Sequence, residues 1–295
     1  MNRVGAGRRD SDFHSAFRPA PSVYECPARV KGDSAICNEN MIKVLSIAGS
    51  DPSSGAGIQA DIKTFQSLGA FGMAVPAALT VQNSRGVSGV QAVSAGTLAK
   101  QIAALLSDIK VDAVKTGMLL TKQNVEAVSS AVRRFKIGNL VVDPVITSSS
   151  GRALLQAEAI RAFRIKLFPL AVLVTPNIPE AEVLAKMRIR SEQDMDYAAG
   201  KLLDMGPSYI LIKGGHRCGP ASDTLYGGKT VLSFSTSRRK GEFHGTGCLL
   251  SASIAVFIGR GLPVEKAVEK AKQFVDRMLT TAKRVGKSST RYFQF

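Results

Sequence analysis

His244-Gly245-Thr246-Gly247-Cys248 places two glycines, a hydroxyl and a thiol at the head of an apolar stretch carrying Leu249, Leu250, Ile254 and Phe257. Glycines at a helix start let the backbone come close to a ligand. The unpaired N–H groups and the positive helix end there favour an anion. Cys248 falls in the first turn of that helix, where a thiol is expected to be acidified. A glycine turn whose cysteine packs into a core would read the same way. Two further polar residues stand at the ends of apolar runs: Asp143 after Val141-Val142, and Lys213 after Ile210-Leu211-Ile212.

These residues need a scaffold, and the rhythm of the chain supplies one from Met41 onward. Short apolar runs predict strands over 42–48, 75–81, 113–115, 140–145, 171–175 and 209–213. Helical spacing predicts helices over 55–68, 98–109, 123–135, 157–167, 180–186, 192–205, 247–258 and 264–285. The runs 224–226 and 230–235, joined through Gly227-Gly228, read as a hairpin. Such alternation implies an α/β fold of three layers, α/β/α, with a mostly parallel central sheet flanked by helices. Ligands collect beyond the carboxyl ends of such strands, where Asp143 and Lys213 stand. The alternation is unbroken, so one domain over 41–295 is expected rather than two.

Seven blocks occur in an order that resembles one family. They are 48–61 (Ala-Gly-Ser-Asp-Pro-Ser-Ser-Gly-Ala-Gly-Ile-Gln-Ala-Asp), Val81-Gln82-Asn83, Lys115-Thr116-Gly117-Met118-Leu119, Val142-Asp143-Pro144-Val145, Thr175-Pro176-Asn177-Ile178-Pro179-Glu180, Ile212-Lys213-Gly214-Gly215-His216 and the His-Gly-Thr-Gly-Cys segment. Together they resemble hydroxymethylpyrimidine/phosphomethylpyrimidine kinases of the ribokinase-like superfamily, over about Lys43 to Lys283. The resemblance implies a ribokinase-like fold and ATP-dependent phosphorylation in thiamine biosynthesis. The acceptors would be 4-amino-5-hydroxymethyl-2-methylpyrimidine and then its monophosphate.

By the same resemblance Gly245, Thr246, Gly247 and Cys248 form a catalytic anion hole. Gly49, Asp61, Gln82 and Met118 contact the pyrimidine, Lys213 and Asn177 the nucleotide, and Asp143 and Glu180 a Mg²⁺ ion. The residue types support these roles. A carboxylate and an amide can read ring nitrogens and an exocyclic amine. Gly49 permits close approach of the ring, and Met118 offers a soft wall. Mg²⁺ prefers oxygen ligands and keeps several waters. Lys213 could neutralise charge on a transferring phosphoryl group.

Each position also has a plainer reading. Asp61 suits a solvent-facing helix, Gln82 a loop, Met118 a core and Lys213 a solvated strand end. Asn177 suits an N-cap, and Glu180 the positive end of its helix. Many ribokinase-like enzymes carry an aspartate where Cys248 stands. A thiol can stay neutral beside an acceptor that is already a phosphate, whereas a carboxylate would repel it. The chain departs from the family pattern at 146–152, at Gly241-Glu242-Phe243 and in its last five residues.

A net charge of +16 first suggests an acidic partner such as nucleic acid. The basic residues are scattered and no aromatic platform is interleaved with them, so no nucleic-acid partner is expected. Cys26, Cys37, Cys218 and Cys248 form no CxxC pair, and three histidines give no zinc spacing. A reducing cytoplasm fits, and no membrane partner is expected because no apolar run approaches the ~20 residues of a span. The expected partners are the pyrimidine and ATP, and the expected assembly is a homodimer. Rivals are a pyridoxal or pyridoxine kinase of the same superfamily and a non-catalytic pyrimidine sensor. A dinucleotide oxidoreductase is disfavoured because Gly49-Ser50-Asp51-Pro52 does not match GxGxxG.

Residues 1–40 lack hydrophobic periodicity and are rich in Arg, Asp, Ser, Pro and Gly, so they are expected to be a disordered extension. Translation is expected to begin at Met41. Amino-terminal sequencing of protein from the native locus checks this, and an intact 1–40 segment would overturn it.

Overall fold

Strands buried on both faces need apolar side chains at successive positions, and five short runs in this chain meet that demand. The computed structural model describes residues 41–147, 155–215, 221–228, 230–236 and 238–295. The extension 1–40, residues 148–152 of the departing loop and His216 lie outside the described residues. The strands are β1 (Lys43–Ser50), β2 (Phe71–Asn83), β3 (Gly86–Ala92), β4 (Ala113–Thr116), β5 (Leu140–Val142), β6 (Leu173–Val174), β7 (Tyr209–Lys213), β8 (Ala221–Gly227), β9 (Thr230–Thr236), β10 (Lys283–Arg284) and β11 (Arg291–Tyr292). The helices are α1 (Gly57–Ser67), α2 (Ala95–Asp108), α3 (Lys122–Arg134), α4 (Ala157–Ala162), α5 (Ile178–Ala185), α6 (Glu192–Leu203), α7 (Thr246–Gly259) and α8 (Val264–Thr281).

Nine strands form one sheet in the order β3-β2-β1-β4-β5-β6-β7-β8-β9. Its centre, from β2 to β7, is parallel, and β3, β8 and β9 add antiparallel edges. The strand order reverses between β1 and β4, and the crevice outside their carboxyl ends is where this class of sheet binds ligands.

Alternation along the strands divides the core in two. Leu140, Val142, Ile210 and Ile212 face the helices α2 to α6. Val141 and Leu211 face α1, α7 and α8. Helix α7 is buried continuously from Leu249 to Ile258, as a helix apolar on all sides must be. Among the described residues no helix is long and apolar enough to cross a membrane.

Two stretches differ from the sequence reading. Strand β3 went unpredicted because Gly86-Val87-Ser88-Gly89 lacks an apolar run, and pairing with β2 makes it a strand. The last helix was expected to reach residue 285 but ends at Thr281. The chain then returns through the β10–β11 ribbon, because Tyr292 and Phe293 bury their rings.

Truncating α7 at its centre should cost far more than truncation at the surface. Ile254→Ala is expected to lose about 2–5 kcal/mol in urea denaturation, and the exposed Val285→Ala about 0.5 kcal/mol or less. Equal losses would contradict the placement of α7 between sheet and helices.

Candidate active site

Two glycine-bearing turns far apart in sequence meet at the sheet's switch point. Gly245 is the N-cap of α7 with φ +81°, and a Cβ there would overlap the Gly55 carbonyl oxygen. Gly57 opens α1 at φ +61°, and a Cβ there would overlap the Gly49 carbonyl oxygen and lie 3.2 Å from Asp51 N. Only glycine allows both the left-handed backbone and the approach. Asp51 holds the first turn: Oδ1 accepts from Ser53 N (2.8 Å) and Ser53 Oγ (2.7 Å), and Oδ2 from Gly55 N (3.1 Å) and Ala56 N (2.9 Å). His244 Nε2 reaches the same Oδ2 at 2.9 Å and ties the two turns together. Burial works against ionisation of Asp51, but the His244 and Ser53 bonds hold its carboxyl below the usual range.

Gly245 offers no side-chain cap, and the first intrahelical bond of α7 runs from Leu249 N to Gly245 O (2.9 Å). The N–H groups of Thr246, Gly247 and Cys248 therefore precede the helical ladder, which is the arrangement that binds anions. A Cβ on Gly247 would stand 3.3 Å from Lys213 Nζ and 3.8 Å from Asp143 Oδ2, so this helix end faces a cation. Lys213 Nζ donates to Asp143 Oδ1 at 2.8 Å. Ser251 Oγ lies 3.1 Å from Asp143 Oδ2 and fastens α7 to the same carboxylate.

Burial would lower the Lys213 pKa, but Asp143 and Glu180 raise it further, and the amine stays charged. Burial is opposed at Asp143 by Lys213 and Lys115, which hold its carboxyl down. Burial pushes Glu180 up, and the Asp143 charge adds to that. Glu180 Oε2 accepts from Asn177 N (2.8 Å) and Oε1 from Ile146 N (3.2 Å), while Asn177 Oδ1 accepts from Glu180 N (2.8 Å). This reciprocal pair caps α5, so the Asn177 carbonyl is spent within the chain.

Among the described residues no group of three His, Cys, Asp or Glu side chains could hold a metal ion directly. Asp143 and Glu180 each keep unspent lone pairs beside Lys213. That donor set fits Mg²⁺ held through its waters rather than caged by side chains.

Asp61 and Lys115 are both fully buried. Lys115 Nζ contacts Asp61 Oδ1 (3.0 Å) and Oδ2 (2.8 Å), and Ser46 Oγ donates to Oδ2 (2.5 Å). The Asp61 carboxylate thus lies in the interior under an ammonium and is not open to a pocket. Stranding either charge would cost about 3–5 kcal/mol.

Lys115 lies near enough to Cys248 to pull its thiol down, and the Gly57 N–H acts in the same direction. Burial outweighs both, with Asp61 and Asp143 adding to it, and pushes the thiol up to about 11. This corrects the expected acidification: desolvation under the sheet's end exceeds the pull of the helix terminus.

Two register shifts aim residues at the crevice. One falls between Ala48 and Gly49 where β1 meets β2, the other between Val81 and Gln82 where β2 meets β3. A Cβ on Gly49 would overlap Met118 Cε, so the two are in contact. Met118 packs with Ala78, Val90, Leu120 and Val145 in a small separate apolar cluster. Half-buried Gln82 lies 2.8 Å from His244 Nε2, so the β2–β3 bulge adjoins the glycine turn at the head of α7.

The sequence does not single out Asp51, Lys115 or Ser251, and it gives His244 at most a loop-holding role and no catalytic one. Asp-Pro-Ser-Ser-Gly at 51–55 is a turn signal that pointed to Asp51. A lone lysine within the short strand Ala113-Val114-Lys115-Thr116 pointed to Lys115. Nothing local marks Ser251.

A parallel α/β sheet with an uncapped helix end, a lysine and two carboxylates beyond the carboxyl ends of its strands defines a small-molecule kinase of the ribokinase-like class. The family model described as phosphomethylpyrimidine kinase matches residues 51–292, and the chain belongs to that family. A hydroxymethylpyrimidine/phosphomethylpyrimidine kinase of Rhizobium meliloti is 41% identical over 82% of this chain and 91% of its own length. A thiamine biosynthesis bifunctional protein of Geobacter sulfurreducens is also 41% identical, over 83% of this chain but only 50% of its own length. Among solved structures, a phosphomethylpyrimidine kinase of Clostridium difficile superposes with TM-score 0.73 and 38% identity, covering 81% of this chain and 99% of that one. A Bacillus subtilis pyridoxal kinase in complex with ADP superposes with TM-score 0.79 and 33% identity, covering 86% and 97%.

The raised thiol has a measurable consequence. Alkylation of Cys248 by iodoacetamide, followed peptide by peptide, is expected to be slow at pH 8 and to accelerate towards pH 11. The unfolded thiol ionises first as pH rises, so Cys248 withdraws folding stability across the same window. Fast labelling at pH 7 would contradict the desolvated thiol.

Proposed function

We propose that the chain transfers the γ-phosphoryl group of ATP to 4-amino-5-hydroxymethyl-2-methylpyrimidine and then to the resulting monophosphate, in thiamine biosynthesis. One observation carries this reading: the N-terminus of α7 faces Lys213 and Asp143 on one side and the Gly49–Gly57 loop on the other. A phosphate donor and a flat acceptor can therefore share one helix end. The N–H groups of Thr246, Gly247 and Cys248 receive the charge that develops on the transferring group, and Lys213 neutralises it. Asp143 and Glu180 would hold a Mg²⁺ ion, which would supply further neutralisation of phosphate charge. Gly49, Met118 and Gln82 receive the ring. Asp61 serves that site through Lys115, which it fixes beside Cys248.

The two transfers make different demands on Cys248. The hydroxymethyl group must lose a proton, whereas the monophosphate is already anionic. A thiol at about 11 rests neutral beside either acceptor and repels neither. Its small thiolate fraction grows with pH and can take the alcohol's proton. The chain works in the cytoplasm, as a homodimer in this reading.

Pyridoxal remains the natural comparator, because solved pyridoxal kinases superpose slightly better than the phosphomethylpyrimidine kinase, at 0.79 against 0.73. ATP consumption is expected with the hydroxymethylpyrimidine and its monophosphate in preference to pyridoxal, and the reverse order would overturn the assignment. Cys248→Ala is expected to slow the alcohol step by about 10²–10⁴ and the monophosphate step much less. Equal loss in both would remove the thiol from proton transfer.

A further inference from the structure

Two protons decide how Gln82 faces its pocket. Its amide lies between His244 Nε2, 2.8 Å from one end, and Thr80 Oγ1, 3.3 Å from the other. The structure sets the amide nitrogen toward the imidazole and the oxygen toward the threonine. That arrangement suits neither neighbour. Asp51 is held ionised and its oxygens can only accept. His244 Nε2, 2.9 Å from Asp51 Oδ2, must then carry the proton in that bond and has no lone pair for an amide N–H. Thr80 has a single hydroxyl proton, and the shorter contact gives it to the Ser50 carbonyl at 2.9 Å. Its oxygen has only lone pairs to offer Gln82.

We infer that Asp51, His244 and Thr80 hold the Gln82 amide reversed, with Oε1 sharing the one His244 Nε2 proton with Asp51 Oδ2 and Nε2 donating to Thr80, and that His244 and Thr80 are positioning residues for pyrimidine recognition. Both ends favour this orientation: a protonated Nε2 has no lone pair for an amide N–H, and the Thr80 proton has its shorter contact at the Ser50 carbonyl. The bulge at Val81/Gln82 supplies the aim and the two neighbours supply the polarity. Once they are satisfied, the amide keeps one N–H and one oxygen lone pair on the same edge. Such an edge matches a ring nitrogen next to an exocyclic amine, the pattern by which an amide side chain reads adenine. A pyridine carrying a hydroxyl and an aldehyde has no such neighbouring pair. The Asp51–His244 bond that joins the two glycine turns thus also selects the substrate edge. This inference rests on the proposed pyrimidine kinase function.

Two measurements test it. A long-range ¹⁵N–¹H correlation spectrum of the histidine side chains needs no substrate, and the chain has only three histidines. His244 is expected to be protonated at Nε2, and a bare Nε2 would overturn the inference. In kinetics, Thr80→Val removes the acceptor at nearly constant volume. It is expected to raise KM for the aminopyrimidine by about 3- to 10-fold, the worth of one hydrogen bond, with kcat and the KM for ATP unchanged. The preference over the analogue lacking the 4-amino group should shrink by the same factor, and Thr80→Ser should restore it. An equal effect on both analogues, or a fall in kcat at constant KM, would overturn the positioning role. Should Thr80→Val fail to fold, the wild-type spectrum still decides. Wild-type protein that shows Nε2–H but no pyrimidine turnover would sink the function while leaving the amide orientation standing.

Discussion

The contact between Gly245 and Gly55 is the constraint on which the site depends. Two backbones approach there more closely than any side chain allows, and the Asp51–His244 hydrogen bond locks them together. Because α7 is packed on all sides, it cannot tilt to relieve a change at its head. Its N-terminus is therefore held in one direction, toward Lys213 and Asp143. The same joint brings Gln82 alongside through His244. The head of α7 and Gln82 are thus joined through one small region of backbone.

Charge behind that region is arranged so that each buried ion has a partner. Asp61 neutralises Lys115, and Asp143 neutralises Lys213. Cys248 lies within electrostatic reach of Lys115, Asp61 and Asp143, and a fixed negative charge there would disturb both pairs. A neutral thiol leaves them intact. Backbone strain is kept nearby. Val145, β-branched, has φ +39°, a region such residues rarely enter. It directly precedes Ile146, whose N–H donates to Glu180. The strained turn and the Glu180 carboxylate thus support each other.

The sequence alone determined the alternation of strands and helices, the three layers and the anion-binding turn. These follow from local apolar patterns and from glycines whose spacing has a backbone meaning. It also marked Asp143 and Lys213, because polar residues at the ends of buried strands stand at the binding edge of such a sheet.

Only the tertiary structure decided what each polar atom is bonded to. Asp61 reads from sequence as a helix carboxylate able to face a ligand, and it lies buried under Lys115, a residue 54 positions away. Cys248 reads as acidified by its helix end, and burial raises it instead, because desolvation depends on neighbours from distant parts of the chain. Strand β3 and the β10–β11 ribbon exist because their partners pair with them, not because their own residues demand it. Local pattern governs which elements form, since that choice is made within a few residues. Protonation, hydrogen-bond polarity and edge pairing are set by groups that only the folded chain brings within 3 Å of one another.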